Sequence, residues 1–258
     1  MLSPTVIGAL AHNTVREAVR NKILYALLFF AVLMIGSGTI VSSLSYVENS
    51  RILQDVGLAA IRLFGVAIAI FVGIQLVYRE VDRRTVFTLL SKPISRAEFL
   101  LGKFVGLTLT IWMQMGLMGL AFVAVSLASG APLGWQHLAF GLLVGAELAL
   151  VVALATLFSS FTTPMLAAFF TTSMWIVGQL TRDLRDLGKA SGAASLEHAT
   201  QALFRLLPDL KSFDLSIEAA HLLPVSTSDV VLPLVYGAGY ITLVLLSAVV
   251  IFERRDFR

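Results

Sequence analysis

Residues 78–103 read YREVDRRTVFTLLSKPISRAEFLLGK and form a charged segment between two long apolar ones. Six of the nineteen lysines and arginines of the chain lie in this segment: Arg79, Arg83, Arg84, Lys92, Arg96 and Lys103. Basic residues that flank membrane spans collect on the cytoplasmic side. The segment is therefore predicted to be a cytoplasmic loop that offers a surface to a soluble partner, in a chain that is otherwise mostly membrane.

The overall composition supports this interpretation. Hydrophobic residues make up 57% of the 258 positions and charged residues 14%, and the mean hydropathy is +0.87. A soluble domain has about 25% charged residues. Because the basic residues flank apolar segments, we interpret them as topology determinants and predict no nucleic-acid binding. The chain has no cysteine, which excludes disulfides and thiolate chemistry.

Six segments are apolar over the length of about 20 residues that a spanning helix needs. They are residues 23–44, 56–77, 101–127, 137–158, 164–180 and 230–252. With the N-terminus inside, the inner regions hold twelve Lys and Arg against six Asp and Glu, and the outer regions seven against nine. The sequence therefore predicts an all-α integral membrane protein with six transmembrane helices and both termini in the cytoplasm, in the plasma or inner membrane.

The longest outer connection, residues 181–229, is predicted to form a small cap between spans five and six. Apolar residues recur there at helical spacing: Leu196, Ala199, Leu203, Leu206 and Leu207. This spacing predicts one or two amphipathic helices that lie on the bundle or in the interface, in a region too small for a core of its own. No internal repeat supports an inverted-repeat transporter fold.

The charged segment also has a helical pattern. Residues 81–90 place their apolar side chains on one helical face, and Pro93 disfavours helical geometry at Lys92. Ser95 followed by Glu98 predicts a capping box at the start of the next helix. Two interpretations fit the pattern: a positive-inside anchor, or a docking element that receives force from a cytoplasmic motor.

Catalytic and metal sites are not predicted. Gly102-Lys103 is followed by Phe104 in place of Ser or Thr, so the chain has no phosphate-binding loop of the GxxxxGK[ST] kind and is not expected to hydrolyse ATP alone. The four histidines lie outside the span interiors, and no HExxH motif occurs. We therefore expect no enzyme activity, metal or cofactor in this chain.

The string TVFTLLSKPISRAEFLLGK resembles the cytoplasmic segment of ABC-2-type transporter permeases. The matching residues are Glu80, Thr85, Leu89, Leu90, Pro93, Ser95, Arg96, Gly102 and Lys103. The N-terminal TVREAVRNKILYALL and the C-terminal VIFERRDF are similar to the ends of this family. They most resemble the branch that contains the permease of the nitrous oxide reductase maturation system. The resemblance covers residues 1–258 as a single transmembrane domain.

This resemblance implies a permease that pairs with a second copy or a paralogue and binds two copies of a separate ABC-type ATPase, which would hold ATP and Mg²⁺. It implies an interfacial helix at residues 13–21, within an N-terminal segment 1–22 that carries Arg16, Glu17 and Arg20. It also implies a coupling helix at residues 80–90, within the loop 79–100. The residues expected to couple to the ATPase are Glu80, Arg83, Arg84, Thr85, Leu89, Pro93 and Arg96.

Glu147 lies ten residues into the fourth span, and an ionisable group at that depth costs several kcal/mol unless it is paired. We predict that it faces the bundle, either as part of a translocation path with Gln114 or as a structural partner of Gln114, Gln179 or a backbone group. Arg62 is expected to snorkel to the outer interface, with an ion pair to Asp55 or Glu147 as the alternative.

Two GxxxG patterns, Gly102–Gly106 and Gly141–Gly145, allow close helix approach and are candidate dimer contacts.

Three functions remain open on sequence grounds. The first is an ATPase-driven permease, expected to be an exporter. The second is a non-transporting membrane module that acts mechanically on an outer partner through residues 181–229. The third is an ion-driven secondary transporter, for which Glu147 is the one candidate ion ligand inside the membrane.

Overall fold

The computed structural model describes residues 3–43, 49–82, 95–190 and 194–254. Within these ranges all regular structure is helical, which confirms the predicted all-α fold. The helices are α1 (Pro4–Val19), α2 (Lys22–Ser43), α3 (Asn49–Asp82), α4 (Arg96–Ala128), α5 (Trp135–Phe161), α6 (Pro164–Ala190), α7 (Ala194–Leu206), α8 (Ser216–Ala220) and α9 (Thr227–Arg254), with a 3₁₀ turn at Leu210–Phe213.

Five helices in the described ranges are long and apolar enough to cross a membrane, so the protein is membrane-embedded. They contain the segments Lys22–Ile40, Ser50–Gln75, Arg96–Ala128, Trp135–Phe161 and Thr227–Phe252. The sixth predicted span, residues 164–180, is helical as the first part of α6. Its apolar stretch is shorter than the others, because polar residues begin at Gln179 and Arg182. A sixth span and the side of the membrane that holds the termini stay predictions.

The central element of the bundle is α5, which packs against α3, α4, α6 and α9. Ten consecutive residues of α5, 147–156, are buried. A helix that is apolar on all sides is expected to be buried on all sides. The polar residue Glu147 within this stretch is therefore enclosed by neighbouring helices.

One end of the bundle holds α1, the start of α2, the start of α4 and the end of α9, and we call it the terminal end. Asn21 Nδ2 donates a hydrogen bond of 3.0 Å to Gln75 Oε1 there. Arg96 Nη1 donates one of 3.0 Å to the backbone oxygen of Phe252. These bonds place the two chain ends and both sides of the predicted coupling loop together.

The opposite end carries the cap and is called the cap end. The predicted amphipathic helix is present there as α7. Because α6 runs unbroken to Ala190, the predicted boundary at residue 181 falls inside a helix. Gly188 allows α6 and α7 to cross closely beside Thr200. Phe213 is fully buried in the bundle core, which attaches the cap to the spans.

The helix predicted within the N-terminal segment 1–22 is present as α1, which runs from Pro4 to Val19. The narrower prediction of residues 13–21 started it too late, and its position at the membrane interface stays a prediction. Proline suits the first helical turn, because its missing N–H needs no partner there. The helix is longer than predicted because Pro4 starts it, and it packs along α4.

Candidate functional site

The first candidate site is the contact between α1 and the start of α4. The predicted capping box is confirmed: Ser95 Oγ accepts a hydrogen bond of 3.1 Å from the Glu98 N–H, and Glu98 Oε2 accepts one of 2.9 Å from the Ser95 N–H. The other carboxylate oxygen of Glu98 accepts a bond of 2.6 Å from the backbone N–H of Ser3, which precedes α1. Glu98 therefore joins the beginnings of two helices.

Two glycines let α1 lie directly on α4. A Cβ atom on Gly102 would lie 2.5 Å from Leu10 Cβ, and one on Gly106 would lie 2.6 Å from Thr14 Cβ and 2.7 Å from the backbone oxygen of Ala11. Real Cβ atoms do not approach that closely, so any side chain would push α1 away. The expectation that Gly102–Gly106 is a dimer contact is therefore wrong, because α1 of the same chain already occupies this surface.

The second GxxxG pattern has a different environment. A Cβ on Gly141 would meet nothing within 4 Å. The carbonyl of Gly145 accepts a hydrogen bond of 2.9 Å from Trp112 Nε1 on α4. Gly145 therefore already contacts α4 of the same chain. A dimer contact at Gly141 stays a prediction.

Charge completes the contact at the terminal end. Lys103 is 1% exposed, and its Nζ lies 3.5 Å from Glu17 Oε2 on α1. Arg16 and Arg20 lie on the exposed side of α1. We call the set Ser3, Glu17, Glu98, Gly102, Lys103 and Gly106 the N-terminal clamp. It holds one face of α1 and leaves the basic residues of the other face accessible.

The predicted coupling residues are only partly described. Glu80 lies in α3. Arg83, Arg84, Thr85, Leu89 and Pro93 lie outside the described residues, so their roles stay predictions. Arg96 donates to the last turn of α9, where helix carbonyls lack partners and favour a cation. It therefore links α4 to α9.

The second candidate site lies inside the bundle. Arg62 Nε donates a hydrogen bond of 2.9 Å to Glu147 Oε2, and Arg62 Nη2 donates one of 3.1 Å to Glu147 Oε1. The expected snorkelling of Arg62 is wrong, and the alternative pairing with Glu147 is confirmed. The physical reason is that a bidentate pair satisfies both charges where Glu147 has no exposure to solvent.

Two side chains of α6 complete the surroundings of Glu147. Gln179 Nε2 donates a bond of 2.8 Å to Glu147 Oε1 and its Oε1 accepts one of 3.0 Å from Arg62. Trp175 Nε1 also donates to Glu147 Oε1, at 2.9 Å. The predicted pairing with Gln179 is confirmed. Trp175 was missed, although its spacing of four residues from Gln179 puts both on one helical face.

A residue of the cap, Asp214, also contacts Arg62. Asp214 Oδ2 forms an ion pair with Arg62 Nη1, and Asp214 Oδ1 accepts bonds of 3.1 and 2.7 Å from the N–H and Oγ of Ser216. Burial raises the pKa of Asp214, but Arg62 and the Ser216 hydrogen bonds lower it by more, so the pKa lies below its ordinary value. We call Arg62, Glu147, Trp175, Gln179 and Asp214 the arginine network. It brings one guanidinium group together with two carboxyl groups.

Gln114 is separate from this network. It is buried in α4, and its Oε1 has no hydrogen-bond partner among the described residues. The partners of Glu147 are Arg62, Trp175 and Gln179 instead. A translocation path that uses Gln114 stays a prediction.

In the described ranges, no group of three or more histidines and carboxylates is placed to hold a metal ion.

Two clefts adjoin the arginine network. The cap cleft, of about 890 Å³, lies between the cap and α9. The side cleft, of about 430 Å³, is lined by residues of α2, α3 and α6 together with the cap. Asp214 lines both clefts, and Arg62 lines the second. The Arg62–Asp214 ion pair therefore stands where the two clefts meet.

The described residues thus form an all-helical membrane bundle with α1 docked at the terminal end and with Arg16 and the adjoining Arg20 exposed. The sequence matches the family described as ABC-2 family transporter protein over residues 8–257, so the chain belongs to that family. It is the permease component of an ABC transporter, and such components pair with an ABC ATPase subunit and are not ATPases themselves. The recognised family is confirmed, whereas the nitrous oxide reductase maturation branch stays a prediction. No curated protein matches the sequence.

Proposed function

We propose that this chain is the permease of an ABC exporter in the plasma or inner membrane, paired with a second copy or a paralogue. Two ATPase subunits dock at its terminal end, which faces the cytoplasm. The observation that carries the proposal is the N-terminal clamp. Glu98, Lys103 and the two glycines hold α1 on α4, while Arg16 and Arg20 remain accessible to a partner.

The clamp suggests how ATPase movement reaches the membrane. The predicted coupling segment leaves α3 after Asp82 and enters α4 at Arg96, both at the terminal end. The first turn of α4 is bonded to the start of α1 through Glu98 and to the end of α9 through Arg96. ATP binding that draws the coupling segments of two permeases together would therefore move α1, α4 and α9 as a unit.

Affinity purification of the tagged chain from native membranes in mild detergent tests this proposal. We expect a stoichiometric ATPase with a Walker A motif in the eluate. Reversing the charge at Arg83 and Arg84 together should leave insertion intact and remove most of the bound ATPase, because the contact is electrostatic. Lys189→Glu, an exposed lysine at the cap end, is the control and should retain it.

Two results would contradict the proposal at different levels. Recovery of the unaltered chain alone, in several detergents and at low salt, would contradict a permease driven by a separate motor. Normal ATPase recovery with the Arg83 and Arg84 double variant would contradict only the assignment of the contact surface.

A second function is favoured by the link between cap and bundle. Because Asp214 binds Arg62, movement of the spans would reach the cap surface directly. A non-transporting module that acts on an outer partner through residues 181–229 needs this link but no path for cargo, and the likeness to the maturation-system permease agrees with it. An outer protein bound to the cap, with activity that survives Glu147→Gln, would favour this function over export.

The ion-driven transporter has less support. Such a protein needs a carboxylate that exchanges ions, whereas Glu147 is held by a bidentate arginine and by two further N–H donors. A coupling ion would have to displace Arg62 from this buried pair.

A further inference from the structure

The cap cleft has the size and wall chemistry of a small-molecule site. Its volume of about 890 Å³ falls within the range of roughly 300–1,000 Å³ that is common for such sites. One wall is the face of α9 that carries Tyr236 and Tyr240, whose ring centroids are 6.0 Å apart. Leu232 and Leu243 extend this wall with apolar surface. The cleft thus offers aromatic faces beside aliphatic ones.

The charges that line the cleft are unequal. Among the described residues that line it, four are carboxylates and two are cations: Asp209, Asp214, Glu218 and Asp229, against Arg182 and Lys211. Arg182 Nε lies 2.8 Å from Asp209 Oδ2, and Lys211 Nζ lies 3.0 Å from Asp183 Oδ1 on α6. Both cations therefore already have a carboxylate partner, and the excess of negative charge faces the cleft.

The arginine network borders this cleft. Arg62 contacts the carboxyl groups of both Glu147 and Asp214. Asp214 is the more exposed of the two, at 29%, and it lines the cleft. Its carboxylate is therefore within reach of a cation that enters from the cleft side.

We infer that the cap cleft binds an amphipathic organic cation, with its charged group beside Asp214 and Glu218 and its apolar part against Tyr236 and Tyr240. A cation over an aromatic face gains electrostatic attraction in addition to apolar contact. As a statement about cargo, this inference rests on the proposed export function. The binding itself is measured without an ATPase.

Equilibrium dialysis of the purified full-length chain in detergent tests the inference with two probes of nearly the same size and opposite charge. We expect labelled tetraphenylphosphonium to bind saturably, one per chain, and about tenfold or more tighter than labelled tetraphenylborate, because the cleft repels an anion. Equal binding of the two probes, or uptake of the cation that never saturates, would overturn the inference.

Matched variants locate the site. Glu218→Gln should weaken tetraphenylphosphonium binding by about fivefold, and Tyr240→Leu should weaken it by about two- to fivefold. Asp186→Asn, an exposed carboxylate of α6 outside the cleft, is the control and should bind as the unaltered chain does. Equal affinity in all three variants would place the cation elsewhere and contradict the inference.

The same preparations separate this inference from the proposed function. Cation binding without a co-purifying ATPase contradicts the proposed function alone. A stoichiometric ATPase without cation binding contradicts the cleft assignment alone.

Discussion

The N-terminal clamp and the arginine network attach elements at opposite ends of the bundle by different physical means. The clamp places a surface helix on two glycines of α4, with charged contacts at its edges. The network takes one side chain from α3, one from α5, two from α6 and one from the cap, around a carboxylate with no solvent exposure. The clamp depends mainly on shape, whereas Glu147 has no exposure to solvent and depends on Arg62 for its charge partner. Removing the partner of this buried carboxylate should therefore cost more than a substitution in the clamp.

The largest effect is expected from Arg62→Leu. It leaves Glu147 buried with only the N–H donors of Trp175 and Gln179, and loss of one partner of a buried ion pair costs about 3–5 kcal/mol. Thermal unfolding in detergent measures the loss. Adding Glu147→Leu to this variant should recover most of the stability, because two apolar side chains replace the pair.

The control for this comparison is Arg51→Leu, an exposed arginine of the same helix. It should change stability by about 1 kcal/mol or less, because interactions of an exposed charge contribute little. Equal losses in the Arg62 and Arg51 variants would show that the network does not depend on buried charge.

In the N-terminal clamp, we expect a larger side chain at the contact between α1 and α4 to be destabilising. Gly106→Val would bring side-chain atoms against Thr14 and the Ala11 carbonyl, and such overpacking costs about 1–3 kcal/mol. Separation of α1 from α4 should speed tryptic cleavage at Arg16 and Arg20, which mass spectrometry detects. Gly141→Val in the other GxxxG pattern meets open space and should leave cleavage unchanged. Faster cleavage in both variants would contradict the clamp.

A smaller effect is expected at the capping box. Ser95→Ala removes the hydroxyl that accepts from the Glu98 N–H, and loss of a helix N-cap costs about 1 kcal/mol. Ser129→Ala, at the other end of the same helix, is the control. If both variants unfold at the same temperature as the unaltered chain, the box does not hold the start of α4.

The smallest effect is the pH dependence of the link between cap and network. Because the pKa of Asp214 is below its ordinary value, its ion pair stabilises the fold above the unfolded pKa of about 4 and this stabilisation is lost as pH falls through the folded pKa. Asp214 is partly exposed, so Asp214→Asn should cost about 1 kcal/mol or less at pH 7. The difference in unfolding temperature between Asp214→Asn and the unaltered chain should disappear below about pH 4. If this temperature difference grows as the pH is lowered, the assigned ion pair between Asp214 and Arg62 is contradicted.

Local signals in the sequence were sufficient for several features. The Ser95–Glu98 capping box depends on residues three apart, and the cap helix on apolar spacing within 13 residues, so both could be predicted. The start of α1 at Pro4 was missed because its packing on α4 is not visible in the N-terminal segment itself. For Arg62 the first expectation, snorkelling, was wrong and the alternative pairing with Glu147 was right, whereas the contact with Asp214 was missed because the two residues are far apart in the chain.

Composition and hydropathy by themselves determined that the chain is a helical membrane protein, and the motif around Pro93 and Gly102-Lys103 carried the resemblance to ABC-2 permeases. Such properties depend on residue type and short spacing, which folding does not alter. The tertiary structure alone decided which helix fills the Gly102–Gly106 surface and which carboxylates share Arg62. Those choices depend on which distant side chains meet in the bundle, where a buried charge must find a partner and a glycine surface accepts whatever helix fits it.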